Sequence, residues 1–273
     1  MFYCDSHIHS RCSPDGHNTM REMAMASLKK GVKRVCFTDH IDIDGSAAAP
    51  SAPDCAEALQ SVIKMYRDTV AEPVEGIEVH LGMELGEANH DPEKARKLSA
   101  EPELDFVLGS LHQLKNRVDF FYQTYADEKY CTELINNYLD ELIELADMDC
   151  FDVMAHIGYP IRYIRRAGFK TPFTMESHGD GLQQLLKRLI ENGRGIEINC
   201  SGFRNRYLCS SVPTEDILRC YKALGGEIIT IGSDAHRCSD AASGLAEGYE
   251  ILSRLGFRYQ TVFEKRKPIF IKI

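Results

Sequence analysis

Long apolar stretches are missing from this chain. No run of about 18 apolar residues, the minimum for a transmembrane helix, occurs in its 273 residues. The N-terminus also lacks the basic region followed by an apolar core that marks a secretory signal. We therefore expect a cytoplasmic protein with no membrane span, no signal peptide and no membrane partner.

Paired cysteines are missing as well. The ten cysteines are scattered along the chain, and no CxxC pair occurs among them. Disulfide frameworks belong mainly to small secreted domains with closely spaced cysteines. Cys4, Cys36 and Cys150 lie in or beside apolar runs, where cysteine behaves as a small hydrophobic residue. The sequence therefore predicts reduced and mostly buried thiols.

An excess of positive charge is the third missing feature. The 32 Lys and Arg residues face 41 Asp and Glu residues, which gives a formal net charge of -9. An acidic chain lacks the general attraction that holds proteins to nucleic acids, so we expect no nucleic-acid partner. A small anionic substrate remains compatible, because a few metal ions or arginines reverse the charge locally. No feature of the sequence indicates an oligomeric state.

Short apolar runs that alternate with helical stretches are what the sequence does contain. This alternation predicts an α/β fold with a parallel sheet, either open or closed into a barrel. Asp42–Pro53 and Gln113–Tyr125 are predicted loops, and no long linker divides the chain, so we expect one domain over residues 1–273. The predicted strands are Phe2–Cys4, Arg34–Phe37, Ile77–Met83, Phe106–Leu108, Val153–Ala155, Gly195–Ile198 and Glu227–Ile231, and the predicted helices are Thr19–Lys30, Asp54–Val70, Tyr130–Ala146, His178–Glu191, Thr214–Leu224 and Ala241–Leu255.

Each predicted strand carries, at or just beyond its end, residues that can bind a metal ion or transfer a proton. The carboxyl ends of parallel strands meet at one edge of a sheet or one mouth of a barrel. Imidazole and carboxylate suit Zn, Mn and Fe, and there are more candidates than the four that one tetrahedral ion takes. The residues therefore predict two or three divalent ions with a bridging carboxylate. The candidates are Asp5, His7, His9, Asp39, His40, Glu84, Glu87, His112, His156, Glu197, Asn199, Asp234 and His236.

Two further patterns bear on the site. The segments "HIGYPIRYIRR" and "EINCSGFRNR" follow the fifth and sixth strands and place Arg162 and Arg204 near the same edge. Guanidinium groups bind phosphate through paired hydrogen bonds, so both arginines are predicted phosphate ligands of a small phosphorylated substrate. By contrast, His80, His90 and His178 have no partner motif, and we expect them to be surface or capping residues.

Taken in order, these segments resemble the PHP (polymerase and histidinol phosphatase) superfamily. The matching motifs are "DSHIHSRCSPDG", "FTDH", "GMELGE", "GSLH", "AHIG", "EINCSG" and "GSDAH", which run from residue 5 to residue 236. The chain length and "EINCSG" are most similar to the histidinol-phosphatase branch. The resemblance implies a distorted (β/α)7 barrel with a trinuclear metal centre at the C-terminal ends of the strands.

The same resemblance implies an activity. It is that of a metal-dependent phosphomonoesterase of histidine biosynthesis, which hydrolyses L-histidinol phosphate to L-histidinol and phosphate by attack of a hydroxide that bridges the ions. Two alternatives remain open. One is a PHP phosphoesterase for a nucleotide, a sugar phosphate or a nucleic-acid end, and the other is a non-catalytic metal-binding domain.

The resemblance also implies a ligand set. Asp15 is preferred to His17 as a ligand, because Asp15 occupies the motif position and Gly16 leaves the turn behind it free. The implied ligands are His7, His9, Glu84 and Asp234 for the first ion, Glu84, His112 and His156 for the second, and Asp15, His40 and His236 for the third.

Several of these residues have possible second roles. Asp234 and His236 are candidates for moving protons during the reaction. Asp5 and Asp39 flank histidine ligands, and either could orient an imidazole ring, although Asp39 could instead be a solvated loop residue. Glu197 and Asn199 share one face of the sixth strand. They could contact the ammonium and imidazole of a substrate such as histidinol, or they could anchor the barrel interior.

Overall fold

The apolar runs form one parallel sheet that curves almost into a barrel. The computed structural model of the chain describes residues 3–45 and 54–273. Its first eight strands are β1 Tyr3–Ile8, β2 Val32–Phe37, β3 His40–Asp42, β4 Glu78–Gly86, β5 Phe106–Ser110, β6 Val153–Met154, β7 Gly195–Asn199 and β8 Ile229–Gly232. They follow one another around the sheet in chain order, except that the short β3 pairs with β4 alone. This order is expected when each strand returns through a crossover on the outside of the sheet.

The outer layer consists of helices that bury one face against the sheet. The first helix begins with a capping box, in which Glu22 N donates to Thr19 Oγ1 at 3.2 Å and Thr19 N donates to Glu22 Oε2 at 2.8 Å. In the described residues, no helix is long and apolar enough to cross a membrane. The helices are α1 Met20–Lys29, α2 Cys55–Ala71, α3 Pro92–Ser99, α4 Glu128–Leu145, α5 Ile161–Arg166, α6 Met175–Glu191, α7 Ser201–Arg204, α8 Glu215–Ala223 and α9 Leu245–Arg254.

The sheet is brought toward closure where β8 meets β1. Asp234 N donates to the His7 carbonyl at 2.7 Å. The buried carboxylate of Asp5 accepts hydrogen bonds from Ser233 N at 2.8 Å and from Ser233 Oγ at 2.6 Å. Burial raises the pKa of Asp5 to about 6. The prediction that Asp5 orients a histidine ring is therefore wrong, since its carboxylate holds the two strands together instead.

A C-terminal hairpin closes the other end of the barrel, and the sequence patterns did not predict it. Its antiparallel strands are β9 Tyr259–Glu264 and β10 Lys267–Lys272. Phe263 of β9 is buried and stacks on Phe106 with the ring centroids 4.9 Å apart. Leu108 and Val153 belong to the same apolar cluster. One end of the barrel is therefore filled with apolar side chains, which leaves the opposite end for polar ones.

Most predicted elements are present, with shifted ends. The helix predicted over Ala241–Leu255 starts only at Leu245, because Ala242 and Gly244 have φ of 58° and 80°, a left-handed conformation that a right-handed helix cannot include. The sequence did not predict the helices α3, α5 and α7 or the strand β3, because such short segments carry too little periodicity.

The two predicted loops have different outcomes. Gln113–Tyr125 contains neither helix nor strand, as predicted. The Asp42–Pro53 segment begins at the last residue of β3, and positions 46–53 of it, like Phe2 of the first predicted strand, lie outside the described residues. Cys4, Cys36 and Cys150 are free and buried, as predicted.

Candidate metal centre

Glu84, at the C-terminal part of β4, lies in the middle of a buried cluster of histidines. Its Oε1 is 2.8 Å from His156 Nε2 and 3.1 Å from His112 Nε2. Its Oε2 is 3.0 Å from His40 Nδ1 and 3.2 Å from His7 Nε2. Four strand ends thus bring imidazoles to one carboxylate. This is the geometry expected of a carboxylate shared between ions.

The first strand supplies two imidazoles on one face, because alternate residues of a strand point the same way. His7 Nε2 and His9 Nε2 are 3.0 Å apart. The Oδ1 atom of Asp234 is 3.5 Å from His9 Nε2 and 3.8 Å from His7 Nε2. The structure therefore places together the residues implied for the first ion.

A third group lies beside the first, nearer to solvent. His236 Nε2 is 3.4 Å from His40 Nε2. The carboxylate of Asp15 lies 3.3 Å from His236 Nε2 and 3.7 Å from His40 Nε2. His17, the competing candidate, is exposed and contacts the guanidinium of Arg237 at 2.9 Å. The geometry therefore favours Asp15 over His17.

Carboxylates behind the cluster hold two of the rings by the nitrogen that faces away from Glu84. Glu197 Oε1 is 2.7 Å from His7 Nδ1, and Asp42 Oδ1 is 3.2 Å from His112 Nδ1. Asn199 Nδ2 in turn donates to Glu197 at 3.2 Å. Such contacts fix the tautomer and the orientation of a metal-binding histidine. Glu197 and Asn199 are fully buried, which favours the anchoring alternative over contact with a substrate.

Opposite charges facing one another dominate the electrostatics of the cluster. Burial alone would raise the pKa of Glu84, but the facing histidines, His7 first, hold it well below its usual range. Burial would likewise lower the pKa of His40, but Glu84 and its neighbouring carboxylates raise it to about 10. Burial and then the charges of His236 and His40 instead hold the pKa of His9 well below its usual range, so the imidazoles of the cluster differ in their affinity for protons.

The donor set fits divalent metal ions. Three groups of three ligand atoms within 4.8 Å of one another lie around Glu84 and His9: His9, His40 and His236; His7, His9 and Glu84; and His40, Glu84 and His112. His156 Nδ1 is buried without a hydrogen-bond partner among the described residues. The Nε2 atoms of His7 and His9 face each other, and their lone pairs would repel unless a proton or a cation lies near both. Imidazole and carboxylate are ligands that Zn, Mn and Fe accept.

A cleft of about 570 Å³ opens over this cluster. Arg162 and Arg204 line it together with His156, Asp234 and His236. The Arg162 guanidinium lies 4.7 Å from the centre of the Tyr159 ring, and its Nε is buried without a partner among the described residues. Arg204 donates to the backbone carbonyls of Ser233 and Asp234. Both predicted phosphate ligands therefore face the cluster.

Comparison with known proteins assigns the family. The model of the PHP domain family matches residues 5–201. The chain belongs to the PHP domain family. A probable histidinol-phosphatase of Clostridium acetobutylicum is 28% identical to it over 235 residues, which cover 85% of this chain and 86% of the relative. A probable histidinol-phosphatase of Thermotoga maritima is 25% identical over 279 residues, which cover 98% of this chain and 99% of the relative.

A solved structure has the same fold. The histidinol phosphate phosphatase of Lactococcus lactis, in complex with zinc, L-histidinol and phosphate, superposes with a TM-score of 0.75 at 20% identity, covering 97% of this chain and 98% of its own chain. The predicted superfamily resemblance and the distorted (β/α)7 barrel are therefore confirmed.

A second pocket of this PHP domain adjoins the cleft, and the sequence patterns did not indicate it. It has a volume of about 200 Å³. Phe121, Tyr159, Tyr163 and Asp119 line it. Burial raises the pKa of Asp119. The pocket therefore combines aromatic faces with a partly desolvated carboxylate beside the histidine–carboxylate cluster.

Asp39 and the three histidines without a partner motif have different surroundings in the structure. Asp39 is fully buried and accepts hydrogen bonds from Ser10 and Ser13, so it is not a solvated loop residue. His80 contacts Asp105, and His178 contacts Ser177 and Asn136, at positions away from the cluster. The surface or capping role predicted for His90 is wrong, because its side chain is only 2% exposed and bridges Asp44 and Glu141 at 2.7 and 2.8 Å.

Proposed function

We propose that this PHP domain protein is a phosphomonoesterase that hydrolyses L-histidinol phosphate to L-histidinol and phosphate, using two or three divalent ions of Zn, Mn or Fe. The observation that carries the proposal is that a histidine–carboxylate cluster and two guanidinium groups line the same cleft. The names of the relatives support it, and so does the Lactococcus structure, which holds zinc, L-histidinol and phosphate.

The ions would occupy three neighbouring sets of ligands. When bound, such ions stabilise the charge of a phosphate ester and lower the pKa of a coordinated water to ~7. The sets are His7, His9, Glu84 and Asp234; Glu84, His112 and His156; and Asp15, His40 and His236, with Glu84 shared between the first two.

Arginines of the cleft wall recognise the phosphate. Arg162 lines the cleft and has a buried Nε without a partner among the described residues, while Ser201 Oγ accepts a hydrogen bond from its Nη2 at 3.2 Å. Arg204 is held against the backbone of the β8 end, which directs it to the same space. Paired guanidinium hydrogen bonds fix the orientation of a phosphate. Asp234 and His236 also line the cleft, and they relay to the leaving alkoxide the proton that the attacking water gives up.

The second pocket receives the other end of the substrate. Histidinol phosphate carries an ammonium group and an imidazole ring. Tyr159, Tyr163 and Phe121 offer aromatic faces that attract cations and stack on flat rings, and the Asp119 carboxylate supplies the countercharge. Because this pocket adjoins both His112 and the cleft, one small molecule can reach both.

The proposal is tested by measuring phosphate release from metal-depleted enzyme that has been reloaded with Zn, Mn or Fe. The substrates are L-histidinol phosphate, nucleoside monophosphates, sugar phosphates and p-nitrophenyl phosphate. The leaving group of p-nitrophenyl phosphate carries no ammonium group. We expect L-histidinol phosphate to give the highest kcat/KM, by about tenfold or more. Asp119→Asn should lower kcat/KM for L-histidinol phosphate and leave that for p-nitrophenyl phosphate close to wild type.

Arg162 has a matched control on its own helix. Arg162→Ala should raise KM for every phosphate ester, since the phosphate is common to all of them. Arg165→Ala, at an exposed position of α5, should leave the kinetics unchanged. A sugar phosphate or nucleotide as the preferred substrate would overturn the assignment of histidinol phosphate. Equal effects of the two arginine replacements would overturn the phosphate-binding role of Arg162.

A further inference from the structure

Ser13, in the loop that follows β1, has three polar partners around one buried hydroxyl. Ser13 is only 2% exposed. Ser13 Oγ lies 2.7 Å from Asp39 Oδ1 and 3.0 Å from His9 Nδ1, and it accepts a hydrogen bond from His40 N at 3.1 Å. One hydroxyl therefore contacts the ring of one metal-binding histidine and the backbone of another.

The hydrogen-bonding capacity of a hydroxyl fixes where each proton lies. A serine has one proton to donate and two lone pairs to accept with. The proton goes to Asp39, because two oxygens only 2.7 Å apart would repel without one between them. The backbone N–H of His40 takes one lone pair. The remaining lone pair faces His9, so His9 Nδ1 must carry a proton and donate it.

Asp39 is suited to hold this arrangement. The carboxylate is fully buried and also accepts from Ser10 N at 2.7 Å, from Ser10 Oγ at 2.9 Å and from Ser13 N at 3.1 Å. These donors satisfy both of its oxygens, so it acts as an acceptor toward Ser13. The direction of the Asp39–Ser13–His9 chain of hydrogen bonds is therefore determined throughout.

We propose that Ser13 is a positioning residue that fixes His9 as the Nδ1–H tautomer, so that His9 presents the lone pair of Nε2 to the metal centre. By holding the His40 backbone as well, Ser13 links a ligand of the first ion to a ligand of the third. His7 and His112 are held by carboxylates directly, whereas His9 is held through a neutral hydroxyl. The inference rests on the metal centre of the proposed function and not on the substrate.

The test compares two serine hydroxyls that bind the same carboxylate. Ser13→Ala removes the contact with His9, whereas Ser10→Ala removes a hydrogen bond to Asp39 and leaves Ser13 in place. Zinc affinity is measured by competition with a chelator. We expect Ser13→Ala to bind zinc about 10–100-fold more weakly, as is typical when the partner of a ligand histidine is lost, and Ser10→Ala to stay close to wild type.

A spectroscopic measurement on the wild-type protein keeps the test independent of how the variants fold. In 15N-labelled, zinc-loaded protein, the His9 ring should carry its proton on Nδ1. A proton on Nε2 would overturn the inference, and so would equal losses of zinc affinity in the two variants, since these would indicate a role in loop structure alone. Failure to hydrolyse L-histidinol phosphate, with the zinc and tautomer results as expected, would defeat the proposed substrate and leave the role of Ser13 intact.

Discussion

At the scale of single residues, the cluster depends on a position that has no side chain. Gly232 ends β8 beside β1, and a Cβ atom built there would overlap His7 Cβ and Glu197 Oε1, well inside van der Waals contact. Gly232→Ala must therefore push His7 and Glu197 apart. We expect a loss of about 1–3 kcal/mol in the free energy of unfolding and about 10–100-fold weaker zinc binding, measured by urea denaturation and chelator competition.

A second glycine offers the matched control for this substitution. Gly179 lies in α6, where the nearest atom to a built Cβ is Met175 Cε at 3.9 Å. A helical glycine costs about 0.5–1 kcal/mol relative to alanine, so Gly179→Ala should raise the free energy of unfolding and leave zinc affinity unchanged. If both replacements destabilised the protein equally and neither altered zinc binding, crowding at Gly232 would not be the cause.

At the scale of elements, sequence reasoning was most successful where chemistry is tied to strand periodicity. His7, Glu84 and Asp234 could be assigned to one site, because the ends of parallel strands converge whatever the loops between them do. The partners behind the ligands could not be assigned in this way. Glu197 is 190 positions from His7 in the chain, and only the closure of the barrel brings the two together. Ser13 was missed because serine has no spacing signature of its own.

The elements around the second pocket are held by an ion-pair clamp around the His90 ring, whose side chain is 2% exposed. His90 follows β4 and bridges two carboxylates, that of Asp44 after β3 and that of Glu141 in α4. Gln113, the first residue of the Gln113–Tyr125 loop, donates to Asp44 at 3.1 Å. Burial alone would lower the pKa of His90, but the two carboxylates raise it. The clamp therefore fastens the Gln113–Tyr125 loop most firmly when His90 is protonated.

The pH dependence of this clamp follows from the direction of the shift. Because the folded-state pKa lies above the unfolded value of about 6.5, the stabilisation is complete below pH ~6.5 and is lost as the pH rises through the folded-state value. His90→Gln should cost about 1.5–3 kcal/mol at low pH and less at high pH, measured by urea denaturation of the zinc-free protein. Burial lowers the pKa of His178, so His178→Gln should show no such loss at low pH. A cost for His90→Gln that is the same at both pH values would contradict the clamp.

At the scale of the whole molecule, the barrel has two chemically different ends. The C-terminal ends of the strands gather buried imidazoles and carboxylates. The opposite end is filled by Phe263 of the hairpin, stacked on Phe106 of β5. A cluster of buried charge adds little net stability, so apolar packing, both at the hairpin end and in the main core, must hold the strands in the arrangement that the ligands require.

This division predicts that the two ends contribute additively to stability. Phe263→Ala should lower the free energy of unfolding by about 3–5 kcal/mol through the cavity that it leaves. Zinc at about 100 times its Kd should raise the free energy of unfolding of wild type and variant alike by about 2.7 kcal/mol for each ion bound, because distant sites add within about 0.5 kcal/mol. Urea denaturation of the wild type and of Phe263→Ala, each with chelator and with zinc, gives the four free energies of unfolding. A smaller zinc increment in Phe263→Ala would mean that the hairpin also sets the geometry of the ligands, in which case the apolar end would be part of the metal site and not only its support.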